Sequence, residues 1–510
     1  MTHEATETPK PSAPADTAAG SYRSILKSTS IIGGSSVLNI LIGMVKTKFV
    51  AVLLGPSGVG YMSMLVQIAS LVTTVSGMGL SSSGVRQVAE AVGTGDQVRI
   101  ARTVKTLRRT VWLTGAAGML IMMLACVPIS LLTFDSNDHA LPIAFLSITI
   151  LLAAVTSGQA CILQGTRRIA DLAKISVLGA VNGTVISIPC FYLWSEQGIV
   201  VSLVLCAVAS LITSWWFARR VPIADIELPW RESADEARHM LTLGLGIMGG
   251  GLVTVLSMYL IRVILLRQFS LEDVGIYQAA FMLSGVLVGF VLSAMGTDYY
   301  PRLTAVAHDN EQVRQMVNQQ TEISILLALP LLVGMMIFAP SIVRLFYAES
   351  FATAVPVLRW CLLGVFGRVL SWPLGFVMLA KGRGRLFFLT ELLAVSVHVG
   401  AVYAFGPLWG LTGAGMAFML MYIYYVVQML LVVRMLAGWP WANASQMMVG
   451  LATFMMFVLF IVGGWPIDNL FLMPIEVGVL MLVTFLCIKR LSFKTGIGWR
   501  DMMRKFGVGR

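Results

Sequence analysis

The sequence predicts an all-α polytopic membrane protein, built as two pseudo-symmetric six-helix bundles plus two C-terminal helices. Of its 510 residues, 57% are hydrophobic and only 12% are charged, about half of the roughly 25% found in soluble domains. The apolar residues form blocks of about 20, the length at which an α-helix crosses a hydrocarbon core about 30 Å thick. A transmembrane β-barrel is excluded, because barrel strands alternate apolar and polar residues.

Fourteen apolar blocks predict about 14 transmembrane helices. In chain order they cover residues 29–54, 58–80, 111–134, 141–163, 169–194, 198–217, 241–266, 274–298, 322–346, 356–380, 386–406, 411–433, 446–464 and 470–488. With the N-terminus inside, 29 of the 36 Lys and Arg residues fall in the tails and inner connections. Because cytoplasmic loops carry an excess of Lys and Arg, both termini are predicted to be cytoplasmic. This topology also accounts for the net charge of +11, so nucleic acid is not predicted as a partner.

The chain repeats itself at an offset of about 215 residues. Gly60 and Gly275 open the second and eighth spans, and Trp194 and Trp409 end the fifth and eleventh, each pair 215 residues apart. Six spans separate the copies, so the two halves have the same orientation and a pseudo-two-fold axis along the membrane normal. The predicted segments are a disordered cytoplasmic tail (1–20), a first bundle (21–220), a cytoplasmic linker (221–240), a second bundle (241–437), and two further helices with a basic cytoplasmic tail (438–510).

Two similar bundles joined by short loops predict an alternating-access transporter with a central cavity between the halves. The sequence has no phosphate-binding loop, no paired metal-ligand cluster and no Cys-x-x-Cys pair, so no cofactor is predicted. The loops are too short for a catalytic domain, and no enzyme activity is predicted.

Four short motifs carry a resemblance to a known family. They are residues 55–60 (GPSGVG), 273–278 (DVGIYQ), 299–304 (YYPRLT) and the run from Gly375 to Glu391. Together they resemble the Wzx-type O-antigen and enterobacterial common-antigen flippases of the MOP exporter superfamily, over about residues 24 to 435. The longer N-terminal tail and the two additional C-terminal spans depart from that pattern.

The resemblance implies a flippase in the bacterial cytoplasmic (inner) membrane. Its substrate would be an oligosaccharide linked to undecaprenyl pyrophosphate, moved from the inner to the outer leaflet for surface polysaccharide biosynthesis. Membrane lipids and the polysaccharide polymerase machinery are the implied partners. Such a carrier needs buried cations for the pyrophosphate and a lateral opening for the lipid tail.

Arg368 is the foremost candidate for substrate binding. It lies about twelve residues from either end of the tenth span, where a charge costs from about 2.5 kcal/mol upwards and therefore usually faces a cavity. The alternative is a structural pairing with an acid on a neighbouring helix. Lys46, Lys48 and Arg262 are further candidates, and Lys46 matches Arg262 across the repeat at an offset of 216. These three can alternatively reach the outer headgroups by snorkelling.

Glu391 and His398 lie seven residues apart in the eleventh span, and therefore share a helix face. Glu391 is a candidate coupling site or counter-ion to Arg368, and its alternative role is a salt bridge with Arg383 or Arg385. His398 can titrate near neutral pH and is a second coupling candidate, or else a packing residue. Asp298 is placed to pair with Arg302.

Two rival functions remain open from the residues. A cation-coupled multidrug or toxin antiporter of similar architecture would need acidic residues deep in the spans to attract cations. The deep charges here are mostly basic. A membrane polymerase or acyltransferase would need a large outer loop or a catalytic cluster, and the sequence offers neither.

Overall fold

The computed structural model describes residues 15–463 and 469–495, and this part of the chain is helical throughout, with short connections. The α-helices are α1 (Ala15–Gly77), α2 (Leu80–Thr94), α3 (Gln97–Leu124), α4 (Cys126–Phe134), α5 (Ala140–Leu146), α6 (Ile148–Gly165), α7 (Ile169–Trp194), α8 (Gly198–Ala218), α9 (Trp230–Gln268), α10 (Leu271–Ala305), α11 (Asn310–Ile337), α12 (Ala339–Phe346), α13 (Ala354–Ala380), α14 (Gly384–Trp409), α15 (Thr412–Ala437), α16 (Asn443–Gly463) and α17 (Asn469–Thr495). The predicted all-α membrane fold is confirmed.

Within the described ranges, nine helical stretches are long and apolar enough to cross a membrane, or up to 11 if each of two bent pairs is one span. The stretch Gly34–Gly77 has 44 residues and would be ~66 Å long if straight, about twice a bilayer core. Gly55 breaks it with non-helical angles (φ 65°), between the first and second predicted spans. A 3₁₀ turn at Ser195–Gln197 likewise separates α7 from α8. The count of fourteen spans stays a prediction.

The third predicted span is bent. Its two parts, α3 and α4, meet at Ala125 with an angle of 63°. Ala125 ends one helix and begins the next, with backbone angles outside the α-helical region. The third predicted span therefore lies where the helices are observed, but it consists of two helices at an angle and not of one straight helix.

The helices pack first within each half and then across the middle. In the first half α1 packs on α7, and α6 packs on α2, α3 and α8; in the second half α13 packs on α15, α10 and α11. The halves meet where α1 contacts α9 and α10 and where α2 contacts α9. One large apolar cluster runs through both halves, from Val50 to Cys487.

Two glycines that match across the repeat lie against each other where the halves meet. A Cβ on Gly60 would collide with the carbonyl of Leu271 and lie 3.0 Å from the amide nitrogen of Gly275. A Cβ on Gly275 would collide with the carbonyl of Pro56 and lie 2.9 Å from the nitrogen of Gly60. Residues near a two-fold axis contact their own equivalents. This mutual contact therefore supports the predicted pseudo-two-fold relation.

A second close approach joins the turn between α1 and α2 to α9. Met78 and Gly79 turn the chain from α1 into α2 with positive φ values of 45° and 69°. A Cβ on Gly244 of α9 would collide with the carbonyl of Met78. Glycine at 244 thus permits α9 to lie directly against the turn.

The two C-terminal helices are attached to α11 by polar contacts. Glu322, a buried residue of α11, accepts a hydrogen bond from Ser445 Oγ at 3.1 Å and forms an ion pair with Lys494. The Asn318 side chain accepts from the amide of Ala442 at 2.7 Å and donates to the carbonyl of Pro440 at 2.6 Å. These helices therefore belong to the second half in space.

The predicted segment boundaries stay a prediction. Residues 15–20 of the predicted tail lie in α1, and α9 takes up the predicted linker from Trp230 onwards. The remainder of that tail, Trp465 and the basic C-terminal tail from residue 496 lie outside the described residues.

Replacing Gly275 tests the contact between the halves. Gly275→Ala places a methyl group against backbone atoms that cannot rotate away, and such overpacking costs about 1–3 kcal/mol. We expect a lower melting temperature in detergent and reduced transport. Gly285→Ala is the matched control on the same helix, because a Cβ there meets nothing within 4 Å. Equal behaviour of the two variants would disprove the close contact.

Candidate functional site

A cavity of about 430 Å³ lies among α9, α10, α13, α14 and α15. This volume is within the roughly 300–1,000 Å³ of small-molecule sites. Four of the six predicted site residues line it: Arg262, Arg368, Glu391 and His398. Every lining residue belongs to the second half, so this cavity is not the one predicted between the halves. The predicted cavity between the halves stays a prediction.

Arg368 presents an unpaired cation to this cavity. It lies near the middle of α13 and is half-buried. Among the described residues its guanidinium donates no hydrogen bond, and no carboxylate lies within the 4 Å of an ion pair; only its backbone carbonyl is engaged, by Ser371 Oγ at 3.2 Å. Glu391 on the neighbouring helix α14 nevertheless interacts electrostatically with Arg368, so the alternative of a structural pairing stays a prediction. A cation in this position attracts an anion.

Arg262 also lines the cavity, but neighbouring groups hold it. Only 3% of the residue is exposed. Its guanidinium donates to the Met258 carbonyl at 2.7 Å, one turn earlier, and to Oε1 of Gln278 on α10. Its Nε is buried without a described partner. Arg262 therefore joins α9 to α10 and adds positive charge to the cavity wall.

Glu391 lines the same cavity from α14 and interacts electrostatically with Arg368. It accepts a hydrogen bond from the hydroxyl of Tyr425, and within the described ranges it forms no salt bridge with Arg383 or Arg385. His398, 5% exposed, lies against the ring of Phe418 at 5.6 Å between centroids, with its Nε2 unpaired among described atoms. Both predicted coupling residues thus share the cavity with Arg368, and their roles stay predictions.

Aromatic rings make up much of the remaining wall. Trp372 and Phe376 pack together at 4.7 Å on α13, and Phe418 and Tyr422 at 5.0 Å on α15. Tyrosine and tryptophan combine an apolar face with a polar group. The sequence did not single out these rings as cavity residues; their spacing of four residues on predicted helices was the available signal.

Lys48 does not reach the cavity. Its ammonium donates to the backbone carbonyls of Arg344, at 2.7 Å, and Tyr347. These carbonyls end α12, where the helix dipole and unpaired carbonyls favour a cation. Lys48 thus connects the first half to a helix end of the second. As a substrate ligand it stays a prediction that this arrangement does not favour.

Lys46 lies at the position equivalent to Arg262 in the first half. Its Nζ is 3.5 Å from where a Cβ on Gly183 would be. Gly183 precedes His398 by 215 residues, the offset of the repeat. Lys46 therefore lies near the position equivalent to His398, and it does not line the cavity.

The pairing predicted between Asp298 and Arg302 is observed, and two further arginines outside the cavity also have partners. Arg302 and Asp298 form an ion pair at 3.1 Å on α10. Arg267 bonds Asp135 of the first half at 2.9 Å. Arg359 donates to the carbonyl of Gly463, which helps to fix α16.

The sequence matches known proteins over most of its length. Residues 49–356 match the family described as "Polysaccharide biosynthesis protein". The lipid III flippase of Escherichia coli (strain K12) is 22% identical over 410 residues, which cover 79% of this chain and 96% of that relative.

Solved structures share the fold. An inward-facing multidrug resistance transporter of the MATE family, in the MOP superfamily, superposes with a TM-score of 0.65 and 16% identity, over 78% of this chain and 95% of that one. The lipid II flippase MurJ, in an inward closed conformation, also has a TM-score of 0.65, with 14% identity, over 92% of this chain and 99% of that one. A match over 92% of this chain includes residues beyond position 437.

The Arg262–Gln278 pair predicts a specific pattern of stability. Gln278→Leu leaves a buried guanidinium short of an acceptor, and a hydrogen bond to a charged group is worth about 1.5–3 kcal/mol. We expect a clear fall in the melting temperature. The double variant Arg262→Leu/Gln278→Leu removes the charge as well and should recover much of that loss. If the single variant matches the unchanged protein, the pair does not stabilise the fold.

Proposed function

The chain belongs to the polysaccharide biosynthesis protein family of the MOP superfamily, and on this basis we propose that it is a flippase for lipid-linked oligosaccharide. It moves the sugar-bearing head group from the inner to the outer leaflet of the bacterial cytoplasmic membrane. The carrier lipid is undecaprenyl pyrophosphate, and the product serves surface polysaccharide assembly. It acts as a transporter and not as an enzyme.

The observation that carries this proposal is the unpaired Arg368 in a cavity enclosed by membrane helices. Arg is favoured for phosphate because its planar fork can donate two parallel hydrogen bonds. Arg262 adds a second positive charge to the same wall, while Glu391 supplies one negative charge. The excess of positive charge suits a pyrophosphate.

The rest of the wall suits the sugar end of such a head group. The aromatic rings offer apolar faces, and the Tyr422 and Tyr425 hydroxyls offer polar groups. At about 430 Å³ the cavity accommodates part of the head group, and the lipid tail remains among the helices and surrounding lipid. The space between the halves completes the path when they separate.

The Gly60–Gly275 contact fits one stage of alternating access. The excess of Lys and Arg in the connections at the opposite ends predicts that these glycines lie at the outer ends of their helices. The halves are therefore closed towards the outside in this state, with both termini in the cytoplasm. Opening that contact would release the head group to the polymerase machinery outside.

The second candidate is a multidrug antiporter, favoured by the shared fold with the MATE family transporter. An organic cation would be attracted by deep carboxylates. In the cavity two guanidinium groups face a single carboxylate, and the charge balance therefore favours the flippase.

Complementation of a deletion strain tests the proposal through Arg368. Arg368→Ala should lower delivery of surface glycan about tenfold or more, because a phosphate contact of about 1.4 kcal/mol or more is lost. Arg368→Lys should retain a substantial part. Arg434→Ala, which removes an exposed charge at the end of α15, is the control and should behave as the unchanged protein.

The deletion strain itself separates the two candidates. A flippase requires that polyprenyl-linked oligosaccharide accumulate on the inner leaflet while surface glycan disappears. Normal surface glycan together with new sensitivity to cationic drugs would reject the flippase and support the antiporter. Unchanged glycan delivery by both Arg368 variants would remove this residue from the site.

Glu391 is proposed as the coupling residue, because its carboxylate shares the cavity with Arg368 and is held by Tyr425. In proteoliposomes, Glu391→Gln should abolish the dependence of transport on an imposed ion gradient while exchange without a gradient persists. Glu322→Gln is the matched control, since that buried acid pairs with Lys494 away from the cavity. A normal gradient response in Glu391→Gln would exclude Glu391 from coupling.

A further inference from the structure

A second basic site lies on the first half, outside the substrate cavity. A groove of about 620 Å³ opens among α3, α6 and α8, and a neighbouring one of about 580 Å³ lies between α3 and the segment that leads to α9. The two grooves share Arg108, Trp112 and Ile223. Arg219, at the end of α8, lines the larger groove.

Two cations in the larger groove have no hydrogen-bond acceptor and no counter-ion among the described residues. The guanidinium groups of Arg108 and Arg219 donate no hydrogen bond and lie near no carboxylate there. Their basic neighbours on α3 are all engaged: Lys105 contacts Asp225 at 3.4 Å, Arg102 contacts Glu232 at 2.7 Å, and Arg109 donates to the Leu228 carbonyl at 3.0 Å. The groove therefore carries an uncompensated charge of +2.

Tryptophans mark this groove as lying at the membrane interface. Trp112 and Trp215 line it, and each is 52% exposed. The Arg219 guanidinium lies over the Trp215 ring at 4.8 Å, and Arg220 lies over Trp216 at 3.6 Å. Such rings favour the headgroup layer, and the stacking holds the Arg groups at that depth.

The groove also continues into the lipid-facing surface. Leu211 and Ile212 line it, and Ile212 is 60% exposed. Gln159 forms part of its wall, with Oε1 accepting from Ser214. The groove thus combines an unpaired basic end with an apolar side that faces acyl chains.

From this arrangement we propose that the groove binds an anionic phospholipid of the inner leaflet. Arg108 and Arg219 hold its phosphate, Trp112 and Trp215 flank the headgroup, and the acyl chains lie along α8. Basic pockets between membrane helices on the cytoplasmic side recognise anionic lipids in this way. Because Ile223 belongs to the segment that joins the halves, the bound lipid also stabilises that segment against the first half.

Native mass spectrometry of the full-length protein tests the site, with phosphatidylglycerol as the probe and phosphatidylcholine as the neutral comparison. We expect phosphatidylglycerol to bind at least tenfold more tightly, and Arg108→Ala/Arg219→Ala to abolish that preference. Arg99→Ala/Arg102→Ala is the matched control on α3: it removes two guanidinium groups that are already paired, with Glu90 and Glu232. It should retain the preference.

Further arms separate the outcomes. Arg108→Lys/Arg219→Lys keeps both charges and should keep part of the preference for phosphatidylglycerol. This variant therefore tests the role of the charge even if the double alanine variant folds poorly. Arg368→Ala should leave phosphatidylglycerol binding unchanged, so failure of the proposed transport function would not imply failure here. Equal binding of both phospholipids would overturn the proposal. So would undecaprenyl pyrophosphate displacing phosphatidylglycerol from this groove in the Arg368→Ala variant.

Discussion

The cost of placing charge in a membrane organises this molecule, because each deep charged group must find a partner or face a cavity. Lys494 neutralises Glu322 and thereby attaches α17 to α11. Lys48 is satisfied by carbonyl groups at the end of α12. Arg368 faces the cavity without a described partner. Pairing therefore separates the charges that hold helices together from the charge that is proposed to bind the substrate.

The repeat explains why the site belongs to one half. Equivalent glycines, Gly60 and Gly275, touch each other, and Lys46 faces Gly183 as Arg262 lies in the cavity with His398. The backbone plan is thus shared, while the side chains differ. With glycine at position 183 and a lysine at 46, the first half has neither the ring nor the guanidinium fork found at the equivalent positions of the second half.

The sequence predicts the helices, the repeat and four of the cavity residues, because each leaves a local mark: an apolar block, a motif at a constant offset, or a charge far from a span end. It does not predict that the Lys48 ammonium donates hydrogen bonds to the end of α12, because its acceptors are backbone carbonyls almost 300 residues away. Every residue carries a backbone carbonyl, so the residue types in a sequence do not show which carbonyl will accept a hydrogen bond. The sequence also does not predict that these residues share a cavity within the second half, because this depends on how the helices pack against one another, which a periodic pattern does not encode.

Lys48 is better understood as part of the contact between the halves than as part of the cavity. It crosses from α1 to the end of α12 on the same side, by the predicted topology, as the Gly60–Gly275 contact. Hydrogen bonds from a charged donor are worth about 1.5–3 kcal/mol each, so opening that side costs several kcal/mol. A substrate shifts such an equilibrium only by its difference in affinity for the two states. For an anion bound by Arg368 to drive this opening, its affinity for the opened state must exceed its affinity for the closed state by that amount of free energy.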